Sequence, residues 1–181
     1  MTLAIDRIHH VAYRCKDARQ TVQWYGKMLN MGFVLAIAED RVPSTKAPDP
    51  YMHVFLDAGA GNVLAFFELP TQPQMGRDPN TPDWVQHIAL RVKDRATLLE
   101  YKAHLQANGV PVLGVTDHGA FHSIYFFDPN GHRVELACPD PDEAAMIERM
   151  DAVKWDMLEE WSRTKRAPKH AAFLHEREFR S

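Results

Sequence analysis

The chain is poor in cysteine, and this limits the chemistry that its thiols could perform. Cys15 and Cys138 are the only two cysteines among 181 residues, and they form neither a C-x-x-C motif nor a disulfide framework. Each lies in a predicted strand. This placement favours buried free thiols in a reducing compartment over a catalytic nucleophile.

Long apolar runs and an excess of basic residues are also missing. No stretch approaches the roughly 20 apolar residues that span a bilayer, and the first six residues do not resemble a signal peptide. The net charge is −3, from 21 basic and 24 acidic residues, which gives no support to nucleic-acid binding. With 45% hydrophobic residues, the chain is expected to be a soluble cytoplasmic protein whose partner is a small-molecule substrate, with no nucleic acid and no membrane.

An internal repeat is the dominant feature of the sequence. The octapeptide HVAYRCKD at 10–17 returns as HIALRVKD at 87–94, with five of the eight positions identical. Apolar residues at helical spacing follow each copy and predict helices over 18–29 and 96–106, stopped by Asn30-Met-Gly32 and by Asn108-Gly109. The chain therefore contains two copies of one unit.

Three strands are predicted after each helix. They cover 33–38, 53–57 and 63–69 in the first copy, and 112–116, 123–127 and 133–137 in the second. The longer loop at 40–50 accounts for the extra residues of the first copy, and a proline-rich segment at 70–82 links the copies. The predicted fold class is α+β. Two tandem βαβββ modules, residues 5–70 and 83–138, form a curved mixed sheet around a metal cleft, and a C-terminal helix and tail at 139–181 complete one structural domain.

The C-terminal helix carries an apolar stripe. Its members recur at steps of three and four and are Met146, Met150, Val153, Met157 and Trp161. Such a stripe packs on the domain or on a second subunit, and we expect a homodimer.

Two histidines open the repeated octapeptides. The duplication gives His10 and His87 equivalent positions, as a metal site on a pseudo-twofold axis requires. Because side chains alternate along a strand, His9 is expected to face away from His10.

Two carboxylates close strands that the repeat makes equivalent. Glu68 and Glu135 each precede a leucine and follow apolar residues, and a buried carboxylate is costly without a cation or a donor. A metal shared with the two histidines would satisfy both. The alternatives are a solvent-facing position or pairing with an arginine such as Arg14 or Arg91.

These features resemble the vicinal oxygen chelate superfamily, which includes glyoxalases, bleomycin resistance proteins and extradiol dioxygenases. The resemblance covers roughly residues 6–138, and the nearest likeness is to single-domain type I extradiol dioxygenases. It rests on His10-Val-Ala, Trp24-Tyr25, Ala65-Phe-Phe-Glu-Leu69, His87-Ile-Ala-Leu90 and Asp128-Pro-Asn-Gly-His-Arg-Val-Glu-Leu136.

The resemblance implies an Fe(II)-dependent dioxygenase that cleaves the ring of a catechol-like aromatic. It implies that His10, His87 and Glu135 hold the iron, because two histidines and one carboxylate leave open coordination positions. Tyr125 would hydrogen-bond a substrate oxygen, and His118 would transfer a proton near neutral pH. The further candidates are His122 for catalysis and His53 and Phe67 for substrate binding. The alternative roles are a core aromatic for Tyr125 and a turn residue for His118.

Glu68 departs from the extradiol likeness and keeps a second activity open. In the glyoxalase I branch, a His, Glu, His, Glu set binds nickel or zinc, and a glutamate shuttles a proton between adjacent carbons. That likeness implies a metal-dependent isomerase or lyase with Glu68 as a ligand and Ni(II), Zn(II) or Mn(II) as the ion. No clear match to a glutathione-binding arrangement is present. A third alternative is a non-catalytic ligand-binding member of the superfamily.

Overall fold

The computed structural model describes residues 4–169. Eight strands and three helices follow one another in the order expected for a duplicated unit with a C-terminal helix. The first unit's elements are β1 (Val11–Cys15), α1 (Ala18–Leu29), β2 (Phe33–Glu39), β3 (Tyr51–Asp57) and β4 (Val63–Glu68). The second unit's elements are β5 (His87–Arg91), α2 (Arg95–Ala107), β6 (Leu113–Asp117), β7 (Phe121–Phe127) and β8 (Arg133–Pro139), and α3 (Glu143–Thr164) follows them.

The strands form two four-stranded sheets of the same topology. Their orders are β1-β4-β3-β2 and β5-β8-β7-β6. In the first sheet β1 is parallel to β4, whereas β3 is antiparallel to both β4 and β2. The predicted α+β class and the tandem βαβββ modules are therefore confirmed.

The described residues form two compact units, and each unit combines two separate stretches of the chain. One unit holds the residues up to Gln86 together with Phe127–Arg133, and the other holds His87–Phe126 and the residues from Val134 onward. The turn between β7 and β8 thus belongs to the first unit.

Helix α1 covers one face of the first sheet. The side chain of Asp17 accepts a hydrogen bond from the Gln20 amide at the start of α1, and Asn30 ends the helix in the left-handed conformation. Tyr25 on α1 packs at 5.0 Å between ring centroids on Phe66 of β4, and both are fully buried. This layer is the core of the first unit.

The strand register places every second side chain of β4 on the opposite face. Phe67 is paired with His53, and Ala65 is paired with Phe55. Because successive side chains of a strand alternate, these four residues lie on the face away from Phe66 and α1. We call this surface the open face of the first sheet.

Both cysteines are buried in strands, as predicted. Burial raises the pKa of the Cys15 thiol to about 11. A thiol with that pKa is protonated at neutral pH, so Cys15 is not poised as a nucleophile.

Helix α3 shows its apolar stripe only partly covered. Met146 is buried, whereas Trp161 at the other end of the stripe is exposed, and Trp155 and Leu158 are exposed beside it. The homodimer remains a prediction. No helix within residues 4–169 has the length and apolarity to cross a membrane. The end of the predicted tail, residues 170–181, lies outside the described residues.

Candidate active site

His87 and Glu135 are in direct contact in the second unit. His87 begins β5, Glu135 lies on the neighbouring β8, and the distance from His87 Nε2 to Glu135 Oε2 is 2.9 Å. The Glu135 side chain is 4% exposed and the His87 side chain is 32% exposed. A solvent-accessible imidazole therefore lies against a buried carboxylate.

Two hydroxyl groups from β7 also bind this carboxylate. The Ser123 hydroxyl donates to Glu135 Oε1, and the Tyr125 hydroxyl donates to the same oxygen at 3.3 Å. These donors offset the cost of burying the Glu135 carboxylate. Arg91, one of the alternative partners, pairs instead with Glu143 at 3.1 Å.

His118 extends the network through Tyr125. It follows the last residue of β6, and its Nε2 lies 2.7 Å from the Tyr125 hydroxyl. The His87 and Tyr125 rings meet edge to face, with centroids 6.1 Å apart. The structure thus brings together four residues predicted for metal binding or catalysis. We call the set of His87, His118, Ser123, Tyr125 and Glu135 the histidine–tyrosine–glutamate network.

His122 lies outside this network. It neighbours Ser123 on β7, so its side chain points to the other face of the strand. Its Nε2 is 3.8 Å from Asp117 and its Nδ1 is 3.7 Å from Asp140. Asp117 belongs to the same β6–β7 hairpin, and Asp140 belongs to the segment before α3, so His122 connects these two parts of the second unit.

The open face of the first unit carries an aromatic group around two other predicted residues. His53 stacks on Phe67 with ring centroids 3.6 Å apart and an interplanar angle of 16°. The ring centroids of Phe55 and His53 are 4.1 Å apart, and those of His10 and Phe55 are 5.7 Å apart. Burial, and to a smaller extent the charge of His10, lowers the pKa of His53. His53 is therefore neutral at neutral pH, and its buried Nε2 has no hydrogen-bond partner among residues 4–169.

The expected divergence of His9 and His10 is wrong. Their Nδ1 atoms are 2.8 Å apart. Strand β1 begins only at Val11, so strict alternation of side chains does not apply to the two residues before it.

Glu68 is separated from the other predicted metal ligands of its unit. Its Oε2 accepts a hydrogen bond of 2.7 Å from the Ala18 amide at the start of α1. It follows Phe67 on β4, so it lies on the helix-covered face, opposite His53 and Phe67. A helix N-terminus favours a carboxylate, which explains the position of Glu68 without a metal.

The register also shows that Glu68 and Glu135 are not equivalent positions. Glu68 is paired with Cys15, whose counterpart in the repeat is Val92. The Val92 amide donates to the Ala137 carbonyl, which places Val92 opposite Cys138 in a parallel ladder. Cys138 is therefore the counterpart of Glu68. Ala65 lies three residues before Glu68, and Glu135 lies three residues before Cys138, so Ala65 is the counterpart of Glu135. The sequence equivalence of the two glutamates was wrong because a shift of three residues reverses the face of a strand.

Comparison with known proteins agrees with this duplicated topology. A family model described as the Glyoxalase/Bleomycin resistance protein/Dioxygenase superfamily matches residues 7–136. The chain belongs to this superfamily. The family resemblance inferred from the sequence is therefore confirmed, and the superfamily comprises enzymes as well as resistance proteins.

Relatives in the superfamily differ in their activities. A putative ring-cleaving dioxygenase, MhqA, of Bacillus subtilis (strain 168) is 27% identical over 88 residues, which are 49% of this chain and 28% of that protein. A 2-epi-5-epi-valiolone epimerase of Actinomyces sp. is 28% identical over 71% of this chain and 77% of that protein. The trypanothione-dependent glyoxalase I of Leishmania major has a similar structure, with a TM-score of 0.57 and 25% identity over 87% of this chain and 99% of that one.

The donor atoms of the network fit a divalent metal. An imidazole nitrogen and a carboxylate oxygen 2.9 Å apart are ligand types that Fe, Ni, Zn and Mn accept. Members of the superfamily use divalent metals. Within residues 4–169, no group of three or more His, Cys, Asp or Glu side chains is arranged to hold an ion. His87 and Glu135 are thus the two predicted ligands that the structure brings together.

Ser123 is the network residue that sequence reasoning missed. A detectable signal existed, because Ser123 precedes Tyr125 by two residues on one strand and therefore shares its face. A serine is too common in strands to be chosen on that basis alone.

Proposed function

We propose that this chain is an Fe(II)-dependent, extradiol-type dioxygenase that cleaves the ring of a catechol-like aromatic. The observation that carries the proposal is the hydrogen-bonded series from His118 through Tyr125 to Glu135, which ends at His87. It combines two candidate metal ligands with a hydroxyl and an imidazole able to exchange a proton.

Three ligands are proposed for the iron. His87 and Glu135 are two, and His10 is the third because the duplication gives it the position of His87. When bound by two imidazoles and one carboxylate, Fe(II) supplies Lewis-acid and dioxygen chemistry at its open positions. Ala65, the counterpart of Glu135, offers no further ligand, and Glu68 binds the start of α1. The proposed set therefore excludes Glu68.

The remaining residues of the network act on the substrate. The Tyr125 hydroxyl contacts a substrate oxygen and takes the proton of the substrate hydroxyl as its own hydrogen passes to His118, 2.7 Å away; the reverse transfer returns the proton. Ser123 keeps Glu135 oriented through its hydrogen bond to Oε1. His53 and Phe67 supply a flat apolar surface on the open face, as an aromatic ring requires.

Oxygen consumption tests the proposal. Protein loaded anaerobically with Fe(II) should consume dioxygen and form a yellow ring-opened product with at least one member of a catechol panel. His87→Gln and Glu135→Gln should each lower bound iron and oxygen uptake by about 100-fold, because each removes a proposed ligand. His104→Gln, on the exposed side of α2, is the matched control and should leave both unchanged.

A proton-transfer reaction is the second candidate. It is favoured by the match to the valiolone epimerase, which covers 77% of that protein. The His118–Tyr125 pair could also move a proton at a carbon beside a carbonyl. Absence of oxygen uptake across the panel, together with epimerase or hemithioacetal isomerase activity in the Ni(II) form, would decide for this alternative.

A further inference from the structure

The two arginines at equivalent positions of the repeat have different environments. Arg91, at the end of β5, forms an ion pair with Glu143. Arg14 on β1 has no carboxylate partner within the described residues. One of its Nη atoms donates to the Pro73 carbonyl at 2.5 Å, and its buried Nε has no hydrogen-bond partner in the part of the chain that the structure describes. A guanidinium has five N–H donors and no acceptor, so Arg14 is left with unused donors where Arg91 has an anion.

Arg14 lines a cavity of about 360 Å³ in the first unit. The linker between the modules contributes Gln72 and Gln74 to this cavity, and Lys16 adds a second positive charge. Glu68 is the carboxylate in the lining, and its Oε2 is already bound by the Ala18 amide. Gln72 Nε2 already donates to the Asp49 carboxylate at 2.8 Å, and Lys16 Nζ donates to the Pro129 carbonyl at 3.0 Å. The Arg14 guanidinium therefore supplies the unused donors of the cavity, and with the Lys16 charge beside it the cavity favours a bound anion.

Arg14 also lies on the open face that carries the aromatic group. It is paired with Phe67 across β1 and β4, and paired residues project to the same face. His10, four residues before Arg14, lies at the other end of this face, because its ring centroid is 6.0 Å from that of His53 and 5.7 Å from that of Phe55. The ring surface of Phe67, His53 and Phe55 extends between these two ends. A ligand along this row would contact His10 at one end, aromatic rings in the middle and a guanidinium at the other end.

We infer that the substrate is a catechol bearing an anionic substituent, a carboxylate on a short side chain, which Arg14 binds. This inference rests on the proposed function for the catechol end and on the Arg14 cavity for the anionic end. Arg14 acts as a specificity-determining residue, because a carboxylate supplies the paired oxygens that a guanidinium fork accepts. Catechols without a charge would leave its donors unsatisfied.

Calorimetric binding to the metal-free protein tests the anionic end without any turnover. The probes are dihydroxyphenylpropionate and the uncharged propylcatechol of the same length. The wild type should bind the carboxylate probe about 10-fold tighter or more, which is the size of one charge-assisted hydrogen bond. Arg14→Gln should abolish this preference. Arg91→Gln is the matched control and should keep it.

Outcomes for the inference and for the proposed function can be distinguished. Equal binding of both probes by the wild type, or a preference that survives in Arg14→Gln, overturns the inference. If Arg14→Gln does not fold by circular dichroism, Arg14→Lys replaces it and should retain a preference that weakens as ionic strength rises, whereas a salt-independent preference overturns the inference. A preference for the carboxylate without oxygen uptake by the Fe(II) form would support the anion site and contradict the dioxygenase.

Discussion

At the scale of single residues, the Tyr125 hydroxyl has two hydrogen-bond partners of different kinds, a carboxylate and an imidazole. It donates to the buried Glu135 carboxylate at 3.3 Å and lies 2.7 Å from His118 Nε2. A hydroxyl has one hydrogen to donate and two lone pairs. If the hydrogen turns toward a substrate, Glu135 keeps its contacts with Ser123 and His87. Tyr125 can therefore change its partner while the carboxylate remains satisfied.

Removal of this hydroxyl should separate catalysis from metal binding. We expect Tyr125→Phe to lower kcat by about 100-fold, the lower range for a lost general acid or base, while the iron content stays at the wild-type level. Steady-state kinetics and elemental analysis of the purified variant measure the two quantities. Tyr101→Phe on α2 is the control for loss of a tyrosine hydroxyl. An unchanged kcat in Tyr125→Phe would restrict Tyr125 to orienting Glu135.

The sequence predicted the contacts of this group of residues better than it predicted the position of Glu68. Tyr125 and Glu135 are ten residues apart on strands joined by a tight turn, so they could be expected to meet across the hairpin. The equivalence of Glu68 with Glu135 was wrong because the Glu-Leu pair is repeated without regard to the register. Only the pairing of β1 with β4 shows which face Glu68 occupies. The neighbours of Arg14 could not be predicted either, since the linker that contacts it has no periodic pattern.

At the scale of elements, the first two helices both begin with an aspartate N-cap. Asp17 accepts from the Gln20 amide at 2.7 Å, and Asp94 accepts from the Thr97 amide at 2.9 Å. Each aspartate ends a repeated octapeptide. The starts of these helices were therefore predictable, because a side-chain acceptor must satisfy the first free amides of a helix. In contrast, the Asp142 side chain before α3 makes no capping hydrogen bond.

Loss of the cap should destabilise α1. Asp17→Ala is expected to lower the free energy of unfolding by about 1 kcal/mol, measured by urea denaturation at neutral pH. Asp142→Ala is the comparison and should have the smaller effect, because its side chain makes no capping hydrogen bond. Equal effects of the two substitutions would show that the Asp17 hydrogen bond does not stabilise the fold.

The stabilisation that the equivalent cap at Asp94 provides should depend on pH. Hydrogen bonds from the Thr97 amide first, and then from its hydroxyl, lower the pKa of Asp94 below the ordinary value of 3.8. A lowered folded-state pKa means that the stabilisation is present above pH 3.8 and is lost as the pH falls through the folded-state value. The stability difference between the wild type and Asp94→Ala should therefore shrink in that acidic range.

At the scale of the whole molecule, a turn from the second module completes the first unit. Asp128 and Asn130 are buried there. The Asn130 side chain accepts from the Lys16 amide at 2.9 Å and donates to Thr21 at 3.1 Å, and Tyr25 donates to Asp128 at 3.2 Å. The turn itself was predictable from Asp-Pro-Asn-Gly. Its burial against β1 and α1 was not, because turn residues are ordinarily exposed.

This buried turn should contribute measurably to stability. Asn130→Ala leaves the Lys16 amide without its acceptor, so we expect a loss of about 1–3 kcal/mol in the free energy of unfolding. Asn62→Ala, in the exposed turn between β3 and β4, is the control and should cost less than about 0.5 kcal/mol. Denaturant titration followed by tryptophan fluorescence measures both. A loss in Asn130→Ala no larger than in the control would mean that the turn is dispensable.

The shared turn has a consequence for any attempt to divide the protein. Proteolysis in the linker at 70–82 would yield an N-terminal fragment lacking Phe127–Arg133, seven residues that group with it but are synthesised some 40 positions after Gln86. On a ribosome, the N-terminal half must likewise wait for the β7–β8 hairpin before its polar interior is complete. We therefore expect that the N-terminal half does not fold by itself, although the repeat still shows that the two halves arose by duplication.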